Sequence, residues 1–543
     1  MQSIGQRDTR ISQLNAIGIA LSAEKDLDRL LELILSSAMG ITNADGGSLY
    51  MLLPANEQLK LVIMRNNSLG LRMGGTTGKE IPFEPIPLYK ADHSPHMDMI
   101  VTCAVLRDET IKIADAYTAE EFDFSGTREF DAKTGYRSRS FLAVPLKNEK
   151  NRIIGVLQLI NALAPATGAV TTFSDEDQQL VESLASQAAI AITNNNLIAE
   201  LKDLLDSFVR LIATAIDEKS PYTGMHCKRV PVISGLLADA ATKSKHGALR
   251  DFSLDPDQRY ELEMASWLHD CGKITTPEYI IDKHTKLETI CDRIELVDTR
   301  FEIIKRDLQI EKLERLQAAR AAGDNPTGVA GIEADYAKKI EALEQGREFI
   351  RACNRGAEFM SDAAKQRIAE LAAYGWTDHA GEARGLLTED EIYNLQIEKG
   401  TLTAEERDTI NAHVSATLKL LNSLPFPDYL RNVPEFAGSH HERVDGRGYT
   451  RGLNGEQMSI QAKIIAVADV FEALTDCNRP YRQGMKLSKA LAIMGRMVAE
   501  GHIDPDLFHV FVEEKLYLTY AKNFLKPEQI DPVDHAMILG GVQ

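Results

Sequence analysis

The 543-residue sequence has no apolar run that approaches the ~20 residues of a membrane-spanning helix. Its start, MQSIGQRDTRISQL, lacks the apolar core of a secretory signal. Its six cysteines form no CxxC pair and no disulfide framework, which predicts free thiols in a reducing compartment. Basic residues are also few, since 61 Lys and Arg face 80 Asp and Glu, for a net charge of −19. We therefore expect a cytoplasmic protein that neither inserts into a membrane nor binds nucleic acid.

The N-terminal region, residues 10–175, has the pattern of a mixed α/β domain. Two apolar runs, 141–146 and 153–160, flank a polar turn at 148–151. Two such runs around a short turn are typical of an antiparallel hairpin within a sheet. The chain length itself predicts two or three domains.

A single long helix is predicted to follow, and we assign residues 176–218 to it as a connecting signalling helix. Ser174-Asp-Glu-Asp provides a capped, acidic start. Apolar residues then recur at alternating spacings of four and three, which favours a parallel contact with a second copy and hence a homodimer. The alternative is an ordinary amphipathic helix packed on its own domain. The seam consists of Leu197, Leu201, Leu204, Phe208 and Leu211.

The remaining residues, 219–543, have an almost entirely helical pattern. Within them, residues 286–400 are charged and heptad-like, and a Gly-Asp-Asn-Pro-Thr-Gly breaker begins at Gly323. This pattern predicts a helical hairpin inserted into the C-terminal domain, with its charges on a solvated face.

The C-terminal region also contains His and Asp residues in an order that suggests metal binding. Hydrolysis of a phosphodiester needs a nucleophile and neutralised phosphoryl oxygens, and two divalent ions supply both. Imidazole and carboxylate ligands suit iron, manganese or another first-row metal. A single histidine at a helix end is more often structural, so the prediction depends on the whole ordered set. The candidate ligands are His226, His269, Asp270, His413, His440, His441 and Asp469.

These motifs, HDxGK at 269–273 and HHExxDGxGY at 440–449, resemble the HD-GYP branch of the HD phosphohydrolase superfamily over residues 206–525. The resemblance implies an all-helical bundle with two metal ions, iron or manganese. It implies that Asp270 bridges the ions and that Lys273 contacts the scissile phosphate or the attacking water. It further assigns His226, His269 and Asp469 to the first ion, and His413, His440 and His441 to the second.

The substrate implied by the resemblance is a cyclic dinucleotide. Family members usually hydrolyse cyclic di-GMP to linear pGpG and often onward to GMP, and some prefer cyclic GMP-AMP. Arg479 and Arg482 resemble the basic pair with which the family binds substrate phosphate. Two alternatives stay open: a non-catalytic cyclic dinucleotide receptor or scaffold, and an HD hydrolase of another nucleotide.

The sequence departs from the HD-GYP pattern at three places. Thr450 stands where the family has proline, which removes a fixed φ from the loop. Tyr222 stands where members with a third metal carry glutamate, which favours two ions. Counting from His269 without a gap leads to Asp298 as the middle ligand, but the Leu402-Thr-x-Glu-Glu context favours His413.

The N-terminal half resembles GAF domains, especially those of cyclic-nucleotide phosphodiesterases and cyclases. The resemblance rests on residues 130–147 and 155–161. It implies a regulatory domain with a small-molecule or nucleotide ligand near Arg137 and Asn161. The alternative is a GAF domain that binds nothing and acts as a dimerisation surface. His93 and His96 lie in a polar loop and do not by themselves indicate a metal.

Overall fold

The computed structural model describes residues 2–53, 57–219, 225–322, 326–356, 359–476 and 484–540. The chain divides into two compact units, Met1–Leu204 and Leu205–Gln543. The helices are α1 (Gln2–Ala23), α2 (Leu27–Thr42), α3 (Ile100–Arg107), α4 (Ser125–Thr134), α5 (Asp175–Lys219), α6 (His226–Ala241), α7 (Pro256–Leu268), α8 (Glu278–Ile281), α9 (Ile294–Ala321), α10 (Pro326–Asn354), α11 (Asp362–Ala372), α12 (Glu389–Leu395), α13 (Ala404–Asn422), α14 (Val433–Ala437), α15 (Ile460–Thr475), α16 (Leu487–Ala499), α17 (Pro505–Glu513), α18 (Leu516–Phe524) and α19 (His535–Gly540). The strands are β1 (Ala44–Leu53), β2 (Gln58–Asn66), β3 (Leu71–Gly74), β4 (Ile86–Pro87), β5 (Ile111–Ile113), β6 (Phe141–Lys147), β7 (Ile153–Leu163), β8 (Val170–Thr171), β9 (Gly375–Thr377) and β10 (Ala383–Gly385).

The N-terminal unit is built on an antiparallel sheet with the strand order β3-β2-β1-β7-β6-β5. The predicted hairpin is confirmed, because β6 pairs with β7 and Val144 lies opposite Leu157. Side chains alternate along β7, as the period of a strand requires. Leu157 and Leu159 face a core formed with α2 and α5, while Val156 belongs to a second core formed with α3. Helices therefore cover both faces of the sheet.

The predicted long helix is present as α5. Its acidic start is capped as the sequence indicated: the Asp177 amide donates to Ser174 Oγ at 3.1 Å, and the Ser174 amide donates to Asp177 Oδ2 at 3.0 Å. Near its C-terminal end, Val209, Ala213 and Ile216 are buried in the core of the second unit.

The C-terminal unit is helical apart from the short β9–β10 pair. One large core joins α6, α7, α14, α15, α16, α17 and α18. The predicted helical hairpin is formed by α9 and α10, and it shares a separate small core with α11 and α12. The insertion thus has its own hydrophobic support within the unit. No helix among the described residues is long and apolar enough to cross a bilayer.

Candidate metal centre

The His269–Asp270 doublet lies immediately after α7. The helix begins at a capping box, in which Asp255 accepts from the Gln258 amide and Gln258 bonds back to the Asp255 amide. His269 is completely buried, and its Nδ1 lies 2.7 Å from the carbonyl oxygen of Ser266. The doublet is therefore fixed by the end of a well-defined helix.

Gly272 brings the turn after this doublet against α13, the helix that carries His413. A Cβ atom on Gly272 would lie 1.9 Å from the His413 carbonyl oxygen and 2.5 Å from the Thr417 nitrogen. Instead, the Gly272 amide donates to Thr417 Oγ1 at 2.9 Å, and that hydroxyl donates to the His269 carbonyl at 3.2 Å. The glycine of the HDxGK motif therefore permits the close contact between two ligand-bearing segments.

Asp270 lies between two groups of candidate ligands. Its Oδ2 is 3.2 Å from His226 Nε2 and 3.4 Å from His269 Nε2. Its Oδ1 is 3.3 Å from His413 Nε2 and 3.9 Å from His440 Nε2. Each carboxylate oxygen therefore faces a different pair of imidazoles.

The two groups are compact enough to bind cations. The ligand atoms of His226, His269 and Asp270 lie within 4.8 Å of one another, and so do those of the second group, His413, His440 and His441. Asp469, on α15, extends the first group because its Oδ1 is 3.3 Å from His226 Nε2. The structure thus brings all seven candidate ligands into one place.

The tautomers of the buried histidines leave lone pairs facing Asp270. The Nδ1 atoms of His413 and His440 bond the carbonyl oxygens of Ile410 and Ala437, so the proton is on Nδ1. Within the described residues, His413 Nε2, His440 Nε2 and Asp270 Oδ1 are buried and have no hydrogen-bond partner. Lone pairs and a carboxylate oxygen repel one another unless a cation lies between them. This set of imidazole and carboxylate donors fits a divalent metal ion.

The protonation states of His440 and His441 also suit metal ligands. Burial lowers the pKa of His440 well below its usual value and that of His441 to about 4, so both imidazoles are neutral. Burial would raise the pKa of Asp270, but Lys273 and His269 hold it well below its usual range. Burial would lower the pKa of His226, but Glu472, Asp270 and Asp469 raise it. This cluster of carboxylates therefore favours a positive charge. A metal ion would be stabilised there for the same reason.

Glu472 is a functional residue that the sequence reading missed. It lies three residues after Asp469 on α15, hence on the same face of the helix. His226 Nδ1 donates to Glu472 Oε2 at 2.6 Å, and Arg229 donates to Glu472 Oε1 at 3.1 Å. A carboxylate behind a ligand histidine fixes its tautomer and raises its basicity. The i, i+3 spacing from Asp469 is the sequence signal that could have identified this residue.

We expect Glu472→Gln to weaken metal binding without unfolding the protein. The amide keeps the shape of the side chain but loses the charge that orients His226, and such a change typically lowers metal affinity about 10- to 100-fold. Titration of metal into chelator-treated protein, with metal content as the readout, measures the effect. Glu456→Gln, at an exposed position in the same unit, is the control. Unchanged affinity in Glu472→Gln would contradict the orienting role.

The loop of the HHExxDGxGY motif is held by Glu442, which is buried. Its two carboxylate oxygens accept from the Arg451 amide at 2.7 Å and from the Leu453 amide at 3.0 Å. A Cβ on Gly448 would lie 2.4 Å from the Arg443 nitrogen. The Tyr449 ring stacks on His441 with 5.0 Å between centroids. The motif therefore folds its own loop over a ligand histidine, and the Tyr449–Thr450 peptide bond within it is cis.

Three residues of the sequence reading, Arg479, Arg482 and Tyr222, lie outside the described residues. Asp298, the alternative middle ligand, lies in the insertion. It forms ion pairs with Arg347 at 2.9 Å and Arg351 at 2.7 Å.

A cavity of about 570 Å³ lies in the N-terminal unit. Arg137 and Asn161 are not among its lining residues. Arg137 lies over the Tyr117 ring, 4.5 Å from its centroid. Asn161 is buried, accepts from the Arg139 amide at 2.7 Å and donates to Tyr136 Oη at 2.9 Å. Both side chains therefore contact other residues of the N-terminal unit and do not line the cavity. The lining includes Ser48, Tyr50, Arg65, His96, Tyr136 and Gln158.

Comparison with known proteins identifies two domains. Residues 26–192 match the family model of the GAF domain, and residues 385–507 match that of the HD domain. The HD match contains His413, His440, His441 and Asp469. The other three candidate ligands precede it in sequence and are brought to it by the fold.

Several curated relatives share parts of the chain. Identity is 42% over 119 residues to a 3'3'-cGAMP-specific phosphodiesterase of Vibrio cholerae, covering 22% of this chain and 25% of the relative. Identity is 45% over 74 residues to a cyclic di-GMP phosphodiesterase of Pseudomonas aeruginosa, which covers 14% of this chain and 17% of the relative. Identity is 33% over 228 residues to a cyclic di-GMP phosphodiesterase of Vibrio cholerae, which covers 40% of this chain and 42% of the relative. The chain thus spans less than half the length of each of these relatives.

This protein thus combines a GAF domain with an HD domain. Its curated relatives are cyclic di-GMP and cyclic GMP-AMP phosphodiesterases, in agreement with the HD-GYP resemblance of the motifs.

Proposed function

We propose that this chain is a metal-dependent phosphodiesterase that hydrolyses cyclic di-GMP to linear pGpG and onward to GMP, at a rate set by its GAF domain. The supporting observation is the convergence of buried imidazole lone pairs on both oxygens of Asp270. A binding-only module has no need of such a donor set.

The proposed cofactor is a pair of divalent transition-metal ions, iron or manganese. Asp270 would help to hold both ions, because its two oxygens face different imidazole groups. Bound ions of this kind neutralise charge on the phosphoryl oxygens and lower the pKa of water. His226, His269 and Asp469 would hold the first ion, and His413, His440 and His441 the second.

Lys273 is the proposed contact to the scissile phosphate. Its Nζ lies 2.5 Å from Asp270 Oδ2, and its side chain is 22% exposed to solvent. Burial would lower its pKa, but Asp270 raises it, so the ammonium stays charged. A charged donor beside the bridging carboxylate is placed to bind a phosphoryl oxygen or orient the attacking water. Arg479 and Arg482 are proposed to bind substrate phosphate.

The second candidate substrate is 3'3'-cyclic GMP-AMP. Two relatives specific for it share 42% and 50% identity with this chain, over 119 and 80 residues. Both substrates present the same phosphodiester to the metal centre, so the discrimination rests with groups that contact the bases.

Metal analysis combined with chromatography of the products tests the proposal. We expect about two transition-metal ions per chain and conversion of cyclic di-GMP to pGpG and GMP. Faster conversion of cyclic GMP-AMP would transfer the assignment to the second substrate. Bound metal without cleavage of either would indicate a receptor, and cleavage of neither cyclic dinucleotide but of another nucleotide would indicate a different HD hydrolase.

The GAF cavity is proposed to bind a small molecule or nucleotide that regulates the HD domain. Gln158 is nine-tenths buried and lines this cavity, where its amide is available to a polar ligand. Asn161 and Arg137 are proposed to act on binding indirectly, since Asn161 bonds both the Arg137 carbonyl and the cavity residue Tyr136. A nucleotide that raises the melting temperature of the wild type, with a smaller shift in Asn161→Ala, supports this role.

The connecting helix α5 is proposed to pair with a second copy of the chain. The seam residues are exposed in the monomer, including Leu201 at 65% and Phe208 at 54%. An exposed apolar stripe with this spacing fits a parallel coiled coil.

We expect the double variant Leu201→Glu/Phe208→Glu to be monomeric where the wild type is a dimer, because it places like charges in the seam. Light scattering after size-exclusion chromatography measures the mass. Glu200→Lys, at an exposed position outside the seam, should stay dimeric. A monomeric wild type would rule out the dimer.

A further inference from the structure

The connecting helix α5 ends at a residue that contacts the metal-site turn directly. Lys219 Nζ lies 2.6 Å from the carbonyl oxygen of Ile274 and 2.6 Å from that of Thr276. A third carbonyl, that of Lys273, lies at 3.3 Å. An ammonium group has three donors, and here all three find acceptors in one short turn.

This turn holds the groups that face the substrate in the proposed mechanism. It begins directly after Asp270 and includes Lys273, whose Nζ is 2.5 Å from Asp270 Oδ2. The Thr276 amide donates to the Lys273 carbonyl at 3.0 Å, so Lys219 shares that acceptor with the internal bond of the turn. The contacts of Lys219 therefore reach the backbone of Lys273 itself.

The helix that carries Lys219 is firmly seated over this stretch. Ala213 and Ile216 are buried in the core of the C-terminal unit, and Tyr260 donates to Asp206 of α5 at 2.6 Å. A cation at a helix C-terminus is also favourable for the helix itself. A capping role alone, however, would be met by the last carbonyls of α5, whereas Lys219 bonds carbonyls of another segment.

We propose that Lys219 is a positioning residue that couples the end of α5 to the HDxGK turn and so sets the placement of Lys273. This inference rests on the proposed phosphodiesterase function. Because α5 is continuous from the GAF domain, a change in its position or rotation is transmitted through Lys219 to the backbone of residues 273–276. The site is then complete only when α5 is positioned so that Lys219 donates to all three carbonyl oxygens.

Lys219→Met tests this role, since methionine keeps much of the side-chain length but removes the donors. We expect kcat to fall on the order of 10- to 100-fold, as for a catalytic group displaced by about 1 Å. KM and metal content should change less than about 3-fold, since no metal ligand is altered. Lys219→Arg, which keeps the charge and donors, should recover most of the activity.

Hydrogen–deuterium exchange gives a readout that does not depend on activity. In Lys219→Met the amides of residues 271–276 should exchange faster than in the wild type, with the rest of the unit unchanged. Lys243→Met, an exposed lysine in the same unit, is the matched control and should leave kcat and exchange unaltered.

The outcomes separate the coupling from the proposed function. Unchanged kcat and unchanged exchange in Lys219→Met would overturn the coupling, as would faster exchange throughout the unit, which indicates a general structural role. If the wild type cleaves no cyclic dinucleotide, the proposed function fails, while the local exchange of residues 271–276 still decides whether Lys219 holds the turn.

Discussion

Replacement of Asp270 by asparagine is expected to remove bound metal and the proposed phosphodiesterase activity together. The carboxylate faces two imidazole groups with its two oxygens, so its loss affects both proposed ions. Removing one partner of a buried charge network costs about 3–5 kcal/mol, and a loss of that size in binding free energy corresponds to roughly 10²- to 4 × 10³-fold in metal affinity. Metal content by mass spectrometry and the chromatographic assay measure both losses.

The control for this variant is Asp251→Asn, which makes the same change at an exposed position of the same unit. It should keep wild-type metal and activity. A variant of Asp270 that retains both ions would show that the carboxylate does not bridge. Loss of activity with full metal content would instead limit Asp270 to orienting Lys273.

Gly272→Ala is expected to destabilise the C-terminal unit and to lower its activity. The added Cβ would lie 1.9 Å from a backbone oxygen of α13, and backbone cannot rotate away as a side chain can. Overpacking costs about 1–3 kcal/mol, so the melting temperature should fall by on the order of 5 °C. Separation of the turn from His413 should also reduce activity by about 10²-fold.

Gly331→Ala on α10 provides the matched comparison. A Cβ there would meet nothing within 4 Å, and alanine is favoured over glycine within a helix by about 0.8–1 kcal/mol. This variant should be slightly more stable than the wild type and fully active. Equal stability of Gly272→Ala and the wild type would show that the contact between the turn and α13 can relax without cost.

Much of the fold was predictable because it depends on local pattern. The continuous apolar runs of β6 and β7, the polar turn between them and the capping residues of α5 lie within short stretches of sequence. The β9–β10 pair was not predicted, because three-residue strands in a polar segment show no clear alternation.

The site was predictable as a set of residues but not as a geometry. Ordered His and Asp motifs identified the candidate ligands, because the whole set in that order is specific although each residue alone is not. Glu472, Thr417 and Lys219 were missed because they act through other residues across long sequence separations. Such contacts arise only when the helices pack, and one sequence gives no distances between them.

An ion pair between Lys283 and Glu406 connects the segment before α9 to the start of α13. Lys283 Nζ contacts both oxygens of Glu406, at 2.8 and 2.7 Å, although the two are 123 positions apart. Glu406 also accepts from the Thr403 amide at the start of α13. The ion pair joins the two ends of the segment that contains α9 to α12, and it fixes the start of the helix that carries His413. Counting residues from His269 led to Asp298 in this chain, whereas the local sequence context led to His413, which lies beside Asp270.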